Sequence, residues 1–229
     1  LRWLHVAIVA VGAFFLLAFV TNVSTRLERE DIFAIKAILG TQDAPQINSF
    51  EDEIRVIRWV QDQVFKAAPG NEPIPEYKDR EPMDLLKARS GLCYDRARTL
   101  DKALTWLGFE ARHVYILFAE PQSGTGAWSF TRHALTRSSS HAVTEVKTSR
   151  GWLVVDSNTP WISLDTHGLP VQASDVHENR TQFKEPPEYT QTPFWAIRGM
   201  YSRRGQFYRP YIVFPEMNWP DFMNWALLD

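Results

Sequence analysis

A single cysteine, Cys93, stands in a chain of 229 residues. One thiol excludes an intramolecular disulfide framework and any thiolate-based zinc cluster. It leaves the compartment open, because an exported protein can carry one free thiol, and such a thiol is itself a candidate for reactivity. An excess of either charge is lacking too: 25 Lys and Arg face 27 Asp and Glu, a formal net of −2. No basic field is present to attract nucleic acid, and there is no acidic tail. An acidic loop of the calcium-hand type is absent, and Asp156-Ser157-Asn158 is too short a fragment to stand for one. His133, His167 and His177 lie in loop-like contexts with no ligand partner at helical spacing, so neither a metal nor a cofactor is expected. No internal repeat or low-complexity tract interrupts the chain.

Charge disappears altogether from residues 3–25, and residues 6–20 are almost wholly apolar. About 20 helical residues cross the ~30 Å hydrocarbon core, so this length suits a single membrane span. A secretory signal would have a shorter apolar run and a small-x-small cleavage site, which Leu17-Ala18-Phe19-Val20-Thr21-Asn22 does not supply. A buried globular helix would keep a polar face. The expectation is a single-pass anchor over residues 1–25, with the lipid bilayer as a partner. Arg2 precedes it, while Arg26 and Arg29 follow among Glu28, Glu30 and Asp31, so charge bias does not set the orientation. The default is an N-terminus inside and a soluble domain on the outer, periplasmic or extracytoplasmic side. The first residue is not Met, and further N-terminal sequence is expected before it.

The rest reads as helices followed by strands. Residues 27–39 form a juxtamembrane helix stopped at Gly40, with a polar linker to residue 48. Ser49-Phe50-Glu51-Asp52 reads as a capping box, opening a helix whose Ile54, Ile57, Val60 and Val64 share one face. A short helical turn is expected over residues 84–88. From Cys93 a further amphipathic helix runs through Ala97, Leu100, Leu104 and Leu107, closed by Gly108. The period then changes to two, with strands over residues 111–118, 141–146 and 152–156 and turns plus an edge strand over 159–175. His113 reads as an ordinary strand histidine, and Trp59, Trp106 and Trp152 as core. Residues 193–229 are rich in aromatics and proline, with no clean period and no long regular element expected.

Cys93 sits at the first turn of its helix, where the positive end of the macrodipole favours thiolate. A lone cysteine is more often a small buried residue, so partners decide. The hairpin of residues 141–156 supplies them. Paired residues in an antiparallel hairpin have a constant sum of residue numbers. A loop of Thr148-Ser149, or of residues 147–150, makes that sum 297 and sets His141 directly opposite Asp156 on one face. A carboxylate so placed fixes the tautomer of an imidazole and stabilises its protonated form. Nucleophile, base and orienting acid are then all present.

These residues resemble a family. Gly91-Leu92-Cys93-Tyr94-Asp95-Arg96-Ala97, followed by Leu107-Gly108-Phe109 and Ala111-Arg112-His113-Val114, is similar to the cysteine block of the transglutaminase-like superfamily. His141-Ala142-Val143-Thr144-Glu145-Val146 resembles its histidine strand, and Gly151-Trp152-Leu153-Val154-Val155-Asp156 its aspartate strand. The resemblance covers about residues 50–160. It implies an α+β, papain-like fold with a cysteine-bearing helix packed on an antiparallel sheet, here joined to one N-terminal transmembrane helix. It implies Cys93 as nucleophile, His141 as general base and Asp156 as orienting acid. Tyr94 stands where a small residue is common, narrowing the approach to the thiol, and Val143 where an aromatic is frequent. The organisation expected is an anchor (1–25), a juxtamembrane helix and linker (26–48), a transglutaminase-like domain (49–192) and an aromatic C-terminal extension (193–229).

Two functions compete. The first is a membrane-anchored cysteine acyl-transfer enzyme acting on a protein or peptide substrate, as a peptidase or amidase when water accepts the acyl group and as a cross-linking enzyme when an amine does. The second is a catalytically silent domain serving as an accessory or scaffold subunit, docked to other membrane proteins through the aromatic C-terminal segment.

Overall fold

The computed structural model describes residues 2–40, 46–75, 78–118, 140–201 and 216–228. Helix α1 (Arg2–Thr21) projects from the body, and all its described side chains are exposed. Trp3, Val9, Phe15 and Leu16 are 66–86% exposed. Among the described residues no helix is long and apolar enough to cross a membrane, so the expected transmembrane helix is met as an exposed apolar helix and not as a span.

Helix α2 (Arg29–Leu39) begins where the Asp31 carboxylate accepts the Glu28 N–H at 2.9 Å and stops at Gly40, whose φ of +81° suits glycine. Helix α3 (Phe50–Ala67) is capped by Ser49 Oγ, which accepts the Asp52 N–H at 3.2 Å. The expected capping box is only half made, because Asp52 reaches past Ser49 to the Asn48 N–H at 3.0 Å. Val56, Ile57, Val60 and Val64 are buried along α3, each worth about 1.5–3 kcal/mol when removed from water. Helix α4 (Pro82–Ala88) and helix α5 (Cys93–Trp106) complete this layer.

Strands β1 (Ala111–Phe118), β2 (Ser140–Thr148), β3 (Gly151–Asp156) and β4 (Phe194–Arg198) form an antiparallel sheet in the order β3-β2-β1-β4. Thr144 and Val146 of β2 face the helices, Thr144 Oγ1 donating to the Ala97 carbonyl at 3.1 Å. Val143, Val114, Ile116 and Val154 face the other way, under Trp161, Ala173, Val176 and Phe183. The expected edge strand in 159–175 is replaced by single bridges, Val155 to Ile162 and Leu164 to Pro170, and a 3₁₀ turn at Ala173–Asp175.

The C-terminal segment is more regular than its composition suggests. β4 lies beside β1, the short strands β5 (Met200–Tyr201) and β6 (Glu216–Met217) pair, and helix α6 (Trp219–Leu228) follows. Pro220 does not oppose α6, since it occupies the first turn, where its missing N–H is no loss. The two ends of the chain are tied together. Val23 N–H donates to the Met217 carbonyl at 2.8 Å, Asn218 Nδ2 to the Val23 carbonyl at 2.9 Å, and Phe14 meets Trp219 edge-on at 5.7 Å. Phe207, Tyr208, Tyr211 and Phe214 of the expected aromatic cluster, the expected loop at 120–128 and His133 lie outside the described residues.

Candidate active site

Side-chain crowding against the backbone at Gly91 marks where α5 starts. A Cβ on Gly91 would stand 2.7 Å from Leu85 Cδ1 and 2.9 Å from Asp95 Cβ, so only glycine fits two residues before the thiol. The Asp95 carboxylate accepts the Leu92 N–H at 2.8 Å and pairs with Arg80 at 3.2 Å. Burial pushes the Asp95 carboxyl up to about 6, with the Arg80 charge opposing. Cys93 is therefore the first helical residue of a firmly pinned N-terminus, where helix N–H groups and dipole favour negative charge. Its thiol is free and half-buried.

Ala97 lies against Thr144, which carries the start of α5 to the end of β2 where His141 stands. Cys93 lies close enough to His141 to favour the protonated imidazole. The imidazole is engaged at Nε2, 3.0 Å from Asp156 Oδ2. Asp156 is fully buried, and its Oδ1 accepts the N–H groups of Asn158 and Thr159, each at 2.7 Å. Burial alone would discharge both groups. For His141, the bonds and charges of Asp156 and Cys93 outweigh burial and raise it to about 10. For Asp156, the His141 bond and charge and the two backbone donors outweigh burial and hold the carboxyl below its ordinary range. The imidazole is thus a cation across the neutral range and presents that charge to Cys93.

The three residues singled out in the sequence come together, but by a different register. The hairpin turns at Ser149-Arg150, so Thr148 pairs with Gly151 and the sum is 299, not 297. Val143, not His141, lies opposite Asp156. Gly151 adopts φ +131°, a conformation open to glycine, and this moves the turn one residue towards the C-terminus. A shift of two in the sum preserves the face, and His141 reaches Asp156 along the diagonal.

Other residues of the site were not signalled by the sequence. Arg96, one turn after Cys93, donates to the carbonyls of Ala68 and Gly70 (3.2 and 2.7 Å from Nη2) and to Asn158 Oδ1 (2.9 Å), binding the nucleophile helix to the loop after β3. Helical spacing of three from Cys93 was the available clue. Gln61 Nε2 donates to the carbonyls of Asp156, Thr159 and Trp161 at 2.8–3.0 Å, tying α3 to the same loop. Tyr189, in the 3₁₀ turn Glu188–Gln191, lays its ring over His141 with centroids 4.8 Å apart. Its hydroxyl is buried close enough to Asp156 to feel that charge, without the geometry of a full hydrogen bond. Burial raises that phenol well above its usual range. Nothing periodic surrounds Tyr189, so no sequence signal pointed to it. Tyr94, expected to narrow the approach to the thiol, packs its ring under the Arg80 guanidinium at 4.9 Å.

A second histidine–carboxylate pair exists on the helix-facing side of the sheet. His113 Nδ1 stands 3.0 Å from Asp101 Oδ2, and its ring stacks on Tyr201 at 4.4 Å. It is sealed from solvent and faces no thiol, so it reads as core. A cavity of about 420 Å³ lined by Arg112, Trp152, Arg198 and Trp225 contains none of Cys93, His141 or Asp156.

Residues 36–157, more than half of the chain, match the transglutaminase-like superfamily, and all three site residues fall within the match. A structure described as a crystal structure of a TGase aligns at 15% identity with a TM-score of 0.38, covering 70% of this chain. The chain spans 39% of the length of that structure. No curated protein matches it. The mixed helix-and-antiparallel-sheet fold and the match over the cysteine, histidine and aspartate blocks make one assignment: the chain belongs to the transglutaminase-like superfamily.

Proposed function

We propose that the chain is a cysteine-dependent acyl-transfer enzyme acting on amide or ester bonds of a protein or peptide, held at a lipid bilayer by α1. The observation that carries the chemistry is the buried His141–Asp156 pair, 3.0 Å apart, set beside the Cys93 thiol at the start of α5. His141 has taken the thiol proton before the carbonyl is engaged, and the sulfur attacks the carbonyl carbon as thiolate. The oxyanion forms where the Cys93 N–H, at the helix N-terminus, can meet it. Collapse breaks the carbonyl–nitrogen or carbonyl–oxygen bond, and His141 gives its proton to the departing amine or alcohol, leaving a thioester. Water or a second amine then attacks the thioester, loses its proton to His141 and releases Cys93. Asp156 holds the imidazole in one orientation and offsets its charge throughout.

Membrane association is supported by the form of α1. An exposed helix with apolar groups on every side has no face suited to water.

Incubation with an electrophilic peptide probe, read by intact mass, tests the chemistry. The unmodified sequence should gain one adduct, Cys93→Ala none, and His141→Ala should label about ten-fold more slowly or worse. Equal labelling of the unmodified sequence and His141→Ala would assign the domain to the silent, accessory role.

A further inference from the structure

Helix α6 has an outward stripe that its surroundings on the protein do not cover. Pro220, Met223 and Leu227 recur at helical spacing within about 60° of arc, and Met223 and Leu227 are 42% and 72% exposed. The opposite side, Phe222 and Trp225, packs on Met200, Met217 and Ile197. No Lys, Arg or His occurs in residues 216–228. Asp221 is the acid of the first turn and lies off the stripe, half-buried. The exposed side of this helix carries no charge, and Asn224, beside the stripe, is its polar residue. Trp219, at the rim of the stripe, is the residue that meets Phe14 of α1, so the apolar surfaces of the two helices adjoin.

We propose that α6 is an in-plane membrane helix, lying in the bilayer interface beside α1 with Pro220, Met223 and Leu227 turned to lipid. This rests on the bilayer association of α1 proposed above. Placement agrees: the Trp219 ring meets Phe14 while its backbone N–H bonds Asn22 Oδ1 at 3.3 Å, so α6 starts level with the C-terminal end of α1, where a helix lying in the interface would be. A protein groove would need one apolar face of α1, whereas α1 is apolar all round and its surface continues directly into the stripe. Lacking basic residues, α6 inserts by apolar burial alone, so neither anionic lipid nor low salt is required. The consequence for function is a fixed orientation: two attachments hold the domain at a set angle, whereas α1 alone would act as a pivot.

The test uses the full chain with Cys93→Ser, reconstituted in phosphatidylcholine nanodiscs and labelled with an environment-sensitive fluorophore at one new cysteine. Met223→Cys and Leu227→Cys probe the stripe, Val9→Cys probes α1, and Lys66→Cys on exposed α3 is the aqueous control. Labels at 223 and 227 should be quenched by a lipid-borne quencher and lose quenching by iodide, equally with and without anionic lipid, while the label at 66 does the reverse. If 9 is lipid-quenched and 223 and 227 behave like 66, the α6 assignment fails and the α1 reading stands. If 9 also behaves like 66, the α1 reading itself fails. Shielding of 223 and 227 from iodide without lipid quenching would mean that a protein surface covers α6, which overturns the assignment to lipid.

Discussion

Asp156 lies opposite Val143 across the β2–β3 hairpin, and still meets His141 Nε2 at 3.0 Å along the diagonal. A diagonal contact depends on side-chain direction more than a direct cross-strand pair does, and Asp156 is held in that direction by the Asn158 and Thr159 N–H groups. Asp156→Asn keeps the shape but removes the charge and allows the wrong imidazole tautomer. Its probe-labelling rate constant should fall severalfold, short of the loss in His141→Ala, while circular dichroism shows an intact fold.

Stability should respond to pH through the same pair. The His141 folded value, about 10, lies above the ordinary ~6.5. Its contribution is therefore full below about pH 6.5 and is lost as pH rises through about 10. The Asp156 value is depressed, so its contribution is present above about pH 4 and is lost as pH falls below that. In urea melts, the gap in midpoint between the unmodified sequence and His141→Ala should be widest near pH 6 and should narrow towards pH 10.

Tyr189 separates shielding from hydrogen bonding. Tyr189→Ala opens a cavity over the His141 ring and should cost about 3–5 kcal/mol in urea unfolding, together with a fall in probe labelling. Tyr189→Phe keeps the ring and removes a buried hydroxyl that lacks a full partner, so stability and labelling should both stay near those of the unmodified sequence.

Arg96 reaches its backbone acceptors through a planar fork that lysine lacks. Arg96→Lys should lower stability by about 2–3 kcal/mol, since carbonyls of Ala68 and Gly70 lose charged donors. Labelling should slow as well, because the start of α5 loosens from the loop after β3. Normal labelling with reduced stability would confine Arg96 to the scaffold.

The elements legible in the sequence were those whose signal is local. Helical spacing in α2, α3 and α5, period two in β1, β2 and β3, and the stops at Gly40 and Gly108 are all properties of short windows. Residue type and order likewise brought forward Cys93, His141 and Asp156. What the sequence hid was decided at a distance or by a backbone conformation that residue pattern does not specify. The hairpin register turned on whether Gly151 would enter or follow the turn, and at φ +131° it follows, paired with Thr148. Tyr189 reaches His141 from a turn without period, and β4 joins β1 across a long stretch of chain. In α6, Pro220 reads as a breaker until its place in the first turn is known. For α1, composition pointed to a span, and the structure describes an exposed helix instead.

The most direct measurement is the rate of Cys93 alkylation by iodoacetamide as a function of pH, in the unmodified sequence, His141→Ala and Asp156→Asn. A thiol activated by the His141–Asp156 pair should react at pH 6 at least about ten-fold faster in the unmodified sequence than in His141→Ala, with Asp156→Asn between them. Three superimposable profiles would contradict the account, for Cys93 would then be a half-buried thiol that neither residue activates.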